Sequence, residues 1–315
     1  MQRFELTGLW ADPQLAGAFG QVEDGVLSAD ADGSARLVAF VTLIGGRVEG
    51  GVVTGTPPVR VDALLLALAE LGPLPWPDTL RRTMPRVLAR ATSFLDAAQQ
   101  TRPLTITRAP ADDYQWEDVG PLLGVYHRLA QVGMDYTRFD GTRSDRQLRD
   151  VLVVGDAALM LPYDAQRDRV LLVEQIRPGL IRRGDPQPWI LEPVAGLVDA
   201  GESAEATALR ELHEEAGLDN VTLLPTGGYY PSPGGSSEYF HGFIALTDLP
   251  DSHPAFGGLL EEAEDLRLHI IPFDQAMAAM DSGEINAGPL QLLLLQLARK
   301  RDALRRDLIS TAAQP

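Results

Sequence analysis

The stretch "GLVDAGESAEATALRELHEEAGL", residues 196–218, decides how this chain is read. It places Glu202, Glu205, Glu211, Glu214 and Glu215 close together, with Arg210 and His213 among them. Like charges three and four residues apart on a helix repel by a few tenths of a kcal/mol per pair, so something has to compensate. Ser203 stands where an N-cap would stand, and Glu205 falls in the first turn, where the helix dipole favours an acid. Gly217 supplies the residue that ends a helix in a left-handed turn. A helix over 204–216 is predicted, with Ala206, Leu209 and Leu212 as its apolar stripe. Glu211 and Glu215 share a face and Glu214 borders it. Carboxylate clusters of this kind suit a hard divalent cation, Mg²⁺ above all, with phosphate oxygens completing its shell. The competing reading is a solvated helix face with Arg210 and Glu214 as an i,i+4 pair.

The full pattern separates the two. Gly196, five residues, Glu202, seven residues, Arg210-Glu211-Leu212, one residue, Glu214-Glu215, one residue, Gly217-Leu218 matches the Nudix box at every specified position. The chain therefore resembles the Nudix hydrolases. The resemblance implies a mixed-sheet α/β/α sandwich whose loop–helix–loop holds divalent metal, with Mn²⁺ as a possible substitute for Mg²⁺. Water is then directed against a diphosphate linked to another moiety. In that family the arginine orients the glutamates, and the loop glycine allows a close backbone approach to metal.

The flanks narrow the subgroup. Gln175-Ile176-Arg177 and Trp189-Ile190-Leu191-Glu192-Pro193-Val194-Ala195-Gly196 precede the helix. Ser232-Pro233-Gly234-Gly235-Ser236-Ser237-Glu238 and Glu261-Glu262-Ala263-Glu264 follow it. With Pro233 sixteen residues beyond Gly217, the arrangement resembles the ADP-ribose pyrophosphatases. That resemblance, over roughly 115–300, implies ADP-ribose as substrate, with other nucleoside diphosphate sugars or binding without hydrolysis as alternatives. It implies metal on the Ala195 carbonyl, Glu211, Glu215 and Glu264, with Glu214 beside them, and Glu262 as the base that deprotonates water. Arg177 is expected on the diphosphate or terminal ribose, and Glu192 on the ribose or the diphosphate region. Pro233 and Glu238 are expected along the substrate. Arg149 reads as a contact to the adenosine end or as an edge-strand charge. Tyr126 reads as an adenine-stacking ring or a core residue. The dimeric members of the subgroup imply a homodimer here. Proton abstraction suits a carboxylate on a mobile loop, and Gly257-Gly258 reads as its hinge.

Composition sets the outer limits. The 315-residue chain favours two domains. Its net charge of −17 disfavours a nucleic-acid or anionic-membrane surface, but not a small phosphorylated ligand. The absence of cysteine excludes disulfides and thiolate metal sites. MQRFELTGLW lacks the features of a signal peptide. The apolar runs 63–69 and 290–298 are too short to span a bilayer. A cytoplasmic protein is expected.

Elsewhere, strands are predicted over 37–44 and 48–54, and helices over 61–71 and 85–99. A boundary falls at Thr101-Arg102-Pro103, giving a smaller α+β domain at 1–103 and the Nudix domain at 104–315. Strands follow over 104–109, 122–129, 134–139 and 149–154. A hairpin joins 157–163 to 169–175, and further strands cover 189–193, 221–227, 239–245 and 266–271. Helices over 273–282 and 290–305 complete the reading. The opening Phe4-Glu5-Leu6-Thr7-Gly8-Leu9 resembles the γ-glutamylcyclotransferase-like fold. Its tyrosine is missing, and Glu70 is the one candidate for that family's catalytic acid. A degenerate, non-catalytic domain is expected.

Overall fold

The computed structural model describes residues 1–55, 59–72, 76, 80–101, 105–106, 114–124, 127–259 and 264–312, with the backbone alone for 307–312. These form two compact units. The first is Met1–Gly155 with Asp199–Gly201 and Ser232–Ser237, and the second holds the remaining described residues from Asp156 onward.

The first unit opens with β1 (Gln2–Leu6), α1 (Pro13–Gly17), β2 (Gln21–Glu23) and β3 (Val26–Ala29). It continues with α2 (Ala31–Leu43), β4 (Arg47–Glu49), β5 (Val52–Thr54), α3 (Val61–Leu71) and α4 (Leu80–Ala97). Its five-stranded sheet has the order β2-β3-β1-β5-β4, with β1 and β5 parallel. Trp10, Phe40, Leu64 and Val87 share one buried core there. The strand expected over 37–44 is instead the C-terminal half of α2. The run Leu37–Leu43 is apolar enough to read either way, but Asp30 caps the helix by accepting from Gly33 N–H at 2.8 Å. Residues 48–54 divide into two short strands, β4 and β5, paired antiparallel.

A second, three-stranded sheet follows in this unit: β6 (Tyr114–Asp118), β7 (Arg128–Tyr136) and β8 (Gln147–Val153). The two strands expected over 122–129 and 134–139 are corrected to the single β7, with Leu123 bridged to Leu129 before it. The strand expected over 104–109 lies mostly outside the described residues, and Thr105-Ile106 form a bend. Glu70 lies partly buried between two arginines. It accepts from Arg90 Nε at 3.2 Å and Arg128 Nε at 3.0 Å. A carboxylate held this way ties α3 and α4 to β7, which fits a structural role.

The second unit contains β9 (Ala157–Asp164), β10 (Arg169–Ile176), α5 (Pro178–Arg183), β11 (Trp189–Glu192), β12 (Val194–Leu197) and α6 (Ala204–Ala216). Then come β13 (Thr222–Tyr229), β14 (Phe240–Leu246), β15 (Phe256–Gly257), β16 (Leu266–Pro272), α7 (Phe273–Ser282) and α8 (Gly288–Ala312). The strands make one mixed sheet, β13-β14-β9-β10-β16-β15, with β11 paired to β10 and β12 to β9. Alternation along β10 sorts its two faces. Leu171 and Val173 pack with Ala208, Leu212 and Ala216 of α6. Leu172 packs with Phe273 and Ala276 of α7 and Leu293 of α8. This is the expected α/β/α sandwich, with the acidic helix on one face and the last two helices on the other.

Among the described residues no helix is long and apolar enough to cross a membrane.

Candidate active site

Helix α6 begins and ends where its residues require. Ser203 Oγ accepts from Ala206 N–H at 3.1 Å, and Gly217 turns left-handed at φ 63°. Its buried face differs from the expected stripe. Ala206 and Leu209 are exposed, while Thr207, Ala208, Leu212, Glu215 and Ala216 are buried. The helix is rotated so that Glu211 and Glu215 face the sheet beside the apolar stripe, and Glu215 is only 3% exposed.

Arg210 organises the acids. Its Nη1 donates to Glu211 Oε1 at 2.7 Å and to Glu214 Oε2 at 3.0 Å. Its Nη2 donates to Glu202 Oε2 at 3.1 Å and to the Leu197 carbonyl at 3.4 Å. Thr207 Oγ1 donates to the same Glu202 carboxylate at 2.8 Å. Burial opposes the guanidinium charge, but hydrogen bonds to Glu202, Glu211 and Glu214 and the charge of Glu211 outweigh it and raise its pKa. The repulsion posed by the clustered acids is thus partly answered by one half-buried cation.

Glu211 and Glu215 remain undercompensated. Burial pushes the Glu211 carboxyl up to about 7; Arg210 opposes this, and Glu214 and Glu264 reinforce it. Burial pushes Glu215 up to about 8. The Ala195 N–H, 3.1 Å from Glu215 Oε2, opposes this, as does the charge of Arg177, whereas Glu211 and Glu264 reinforce it. Glu264 therefore belongs to the same electrostatic cluster. Its Oε2 accepts from Leu259 N–H at 3.2 Å, and its own N–H donates to the Leu259 carbonyl at 3.2 Å.

Two glycines make the cluster sterically possible. A Cβ at Gly196 would overlap the Glu211 carboxylate, so this glycine gives room to an acid rather than adopting a special backbone angle. A Cβ on Gly257 would overlap the Glu215 carbonyl oxygen, so β15 can approach α6 only without a side chain there. Gly258 beside it has φ 88°.

The other expected residues are placed as follows. Arg177 Nε donates to Glu192 Oε2 at 2.6 Å, a pair between the end of β10 and β11. Glu238 is half-buried, and burial raises its carboxyl. Arg149 and Pro233 fall in the first unit. Arg149 is exposed on β8, donating to the Leu148 carbonyl at 2.8 Å and Gln147 Oε1 at 2.6 Å. The Pro233 loop is hydrogen-bonded to the end of β8, with Leu152 N–H donating to the Gly235 carbonyl at 2.9 Å. Tyr126 and Glu262 lie outside the described residues. His213 is exposed and bonded to Asp219, and His241 and His269 pair with Asp156 and Glu174.

The fit to a divalent cation rests on the donors. Burial raises the proton affinity of the two α6 carboxylates, Glu211 and Glu215, which a cation relieves by displacing protons, and Glu264 on the loop before β16 adds a further oxygen donor. Among the described residues no three such side chains are gathered closely enough to hold a metal alone. Backbone and substrate oxygens would have to complete the shell.

The raised carboxyls have a sign that can be measured. Folded Glu211 and Glu215 keep protons that the unfolded chain releases. Their contribution to the stability of the metal-free protein is therefore present at acid pH and lost as pH rises toward about 8. A divalent cation should accordingly raise Tm more at pH 8 than at pH 6. An equal gain at both would contradict the protonated cluster. For Gly196→Ala, displacement of the Glu211 carboxylate should lower kcat/KM by more than about tenfold, the scale on which misplaced metal-site groups act. Steady-state kinetics near wild type would remove this steric role.

Sequence reasoning named the acids but missed their rotation toward the sheet, the role of Gly257 and the pairing of Arg177 with Glu192. The gapped motif locates Gly196, but nothing local to it signals that Glu211 occupies the space above.

A NUDIX domain model matches residues 154–291. The ADP-ribose pyrophosphatase of Haemophilus influenzae is 34% identical over 188 residues, covering 58% of this chain and 86% of that protein. The ADP-ribose pyrophosphatase of Escherichia coli (strain K12) is 36% identical over 169 residues, covering 54% and 80%. A GDP-mannose pyrophosphatase of Escherichia coli O1:K1 / APEC is 35% identical over 179 residues, covering 56% and 92%. A solved structure described as an ADP compounds hydrolase is similar with a TM-score of 0.45 and 20% identity, covering 61% of this chain and 94% of that one.

Proposed function

The chain belongs to the Nudix hydrolase family, and from that premise we propose that it hydrolyses ADP-ribose to AMP and ribose 5-phosphate with Mg²⁺ bound at α6, Mn²⁺ serving as a substitute. The observation that carries this reading is the pair of half-buried Glu211 and buried Glu215, coupled to Glu264, with Gly196 leaving room for the Glu211 carboxylate. Two ADP-ribose pyrophosphatases that match over at least 80% of their length support the substrate. The GDP-mannose pyrophosphatase favours a second reading, another nucleoside diphosphate sugar.

In this account the Ala195 carbonyl and the carboxylates of Glu211, Glu215 and Glu264 hold the cation, with Glu214 at the border. When bound, the cation screens the diphosphate and acidifies a water. Arg210 fixes Glu211 and Glu214. Arg177 presents a planar fork to phosphate oxygens, and Glu192 aims it. Glu262 takes the proton of the attacking water. Pro233, Glu238, Arg149 and Tyr126 serve the ribose and adenosine ends.

The Nudix domain is proposed to begin near residue 104, after a degenerate domain at 1–103. The Haemophilus relative aligns with more of the chain than residue 154 to the C-terminus contains, so the similarity reaches back into the strands before 154. A homodimer and a cytoplasmic place of work complete the proposal. Light scattering at micromolar concentration should give about twice the 34.1 kDa chain mass. Each active site is proposed to be completed by Arg149 of the partner chain, so inactive Arg149→Ala and Glu211→Gln chains, once mixed and exchanged, should recover part of the activity, because one composite site of the mixed dimer keeps both residues. A fully active monomer, or no recovery after proven exchange, contradicts this assembly.

The test of the substrate is a panel of ADP-ribose, GDP-mannose and UDP-glucose at saturating Mg²⁺. ADP-ribose should lead in kcat/KM by about tenfold or more, a difference of about 1.4 kcal/mol in transition-state binding. A lead for GDP-mannose would select the second reading. Tight ADP-ribose binding without turnover would make the chain a sensor.

A further inference from the structure

The second unit has a cavity of about 680 Å³ lined by none of the residues assigned to the proposed reaction, within the size range of small-molecule sites. Its floor is the sheet face opposite α6. Leu172 and Glu174 of β10 and His269 and Ile271 of β16 line it, and Leu172 packs with α7 and α8. Glu174, two residues along the strand, shares that face. Its carboxylate lies 2.7 Å from His269 Nε2. The last turn of α7 and the loop after it form another wall, including Ser282, Gly283 and Glu284.

The chemistry of this cavity is that of a cation site. Glu174 and Glu284 supply carboxylates, and no Lys or Arg is among its described lining residues. The C-terminal turn of α7, closed by Gly283 at φ 87°, lines the cavity, and the negative end of a helix dipole favours a cation there. Trp189, 56% exposed, is among the lining residues and supplies an aromatic ring of the kind that attracts a positive charge. Two carboxylates and no Lys or Arg among the described lining residues disfavour a nucleoside diphosphate. We infer that this cavity binds an organic cation, an ammonium or amidinium carried on a flat apolar body, at a site separate from the α6 cluster.

Calorimetry on the full chain with phenethylammonium tests this, using neutral 2-phenylethanol and AMP as comparisons. Phenethylammonium should bind with Kd of about 1 mM or below, near −4 kcal/mol, and 2-phenylethanol at least tenfold more weakly. Glu284→Gln and Trp189→Ala, both at exposed positions, should each weaken phenethylammonium at least threefold while ADP-ribose turnover stays at the wild-type level. Saturating AMP should leave the affinity unchanged. The inference is overturned by no heat at about 10 mM probe, by equal binding of the alcohol, by unchanged affinity in both variants, or by displacement with AMP.

Discussion

Glu215→Gln should abolish measurable turnover while leaving the protein folded. Loss of a group that only supports a metal ligand costs about 10–100-fold in affinity or activity, so removal of a ligand carboxylate should cost more than about 100-fold. The fold should survive because the amide oxygen can still accept from Ala195 N–H, and a neutral group suits a position that is 3% exposed. The metal-free variant should therefore melt no lower than wild type at pH 8, and it should lose the rise in Tm that a divalent cation gives. Glu211→Gln should behave alike in turnover. Near-native activity of both variants in saturating Mg²⁺ would remove the metal assignment.

Glu262→Gln should lower kcat by roughly 10²–10⁴-fold with KM nearly unchanged, as expected for a positioned acid–base group. The flanking residues Leu259 and Glu264 are tied to each other by backbone and side-chain hydrogen bonds. In this account Glu264 is fixed as a ligand, which leaves proton abstraction to Glu262. If Glu264→Gln gave the larger kcat loss and Glu262→Gln were nearly silent, the two roles would have to be exchanged or abandoned.

The parts of this molecule that were legible in its sequence are those fixed by local chemistry. Helix α6 was readable because Ser203 and Gly217 mark its ends, and α3 and α7 were read to the residue. The 164–168 turn was readable because Asp and Gln crowd a short gap between apolar runs, with Asp168 at φ 57°. What failed depends on distant partners. The run 37–44 contains β-branched and aromatic residues that suit a strand, and the Asp30 cap that selects helix lies seven residues before it. The rotation of α6 was illegible because Leu209 looks as apolar as Leu212, and only the sheet decides which is covered. The motif named the acids of the site. Their proton affinity arises from burial against β12 and from Glu264, far along the chain. The cavity behind the sheet left no sequence signal at all, since its walls come from β10, β11, β16 and α7.

The measurement that tests the central claim most directly is product identity. Purified protein would be incubated with ADP-ribose and Mg²⁺, and the products resolved by chromatography and mass spectrometry beside Glu215→Gln and a chelated control. The account requires AMP and ribose 5-phosphate in equal amounts from the wild type, and neither from the variant or the chelated sample. Undiminished products with chelator, equal yield from Glu215→Gln, or intact ADP-ribose after prolonged incubation with Mg²⁺ would contradict it.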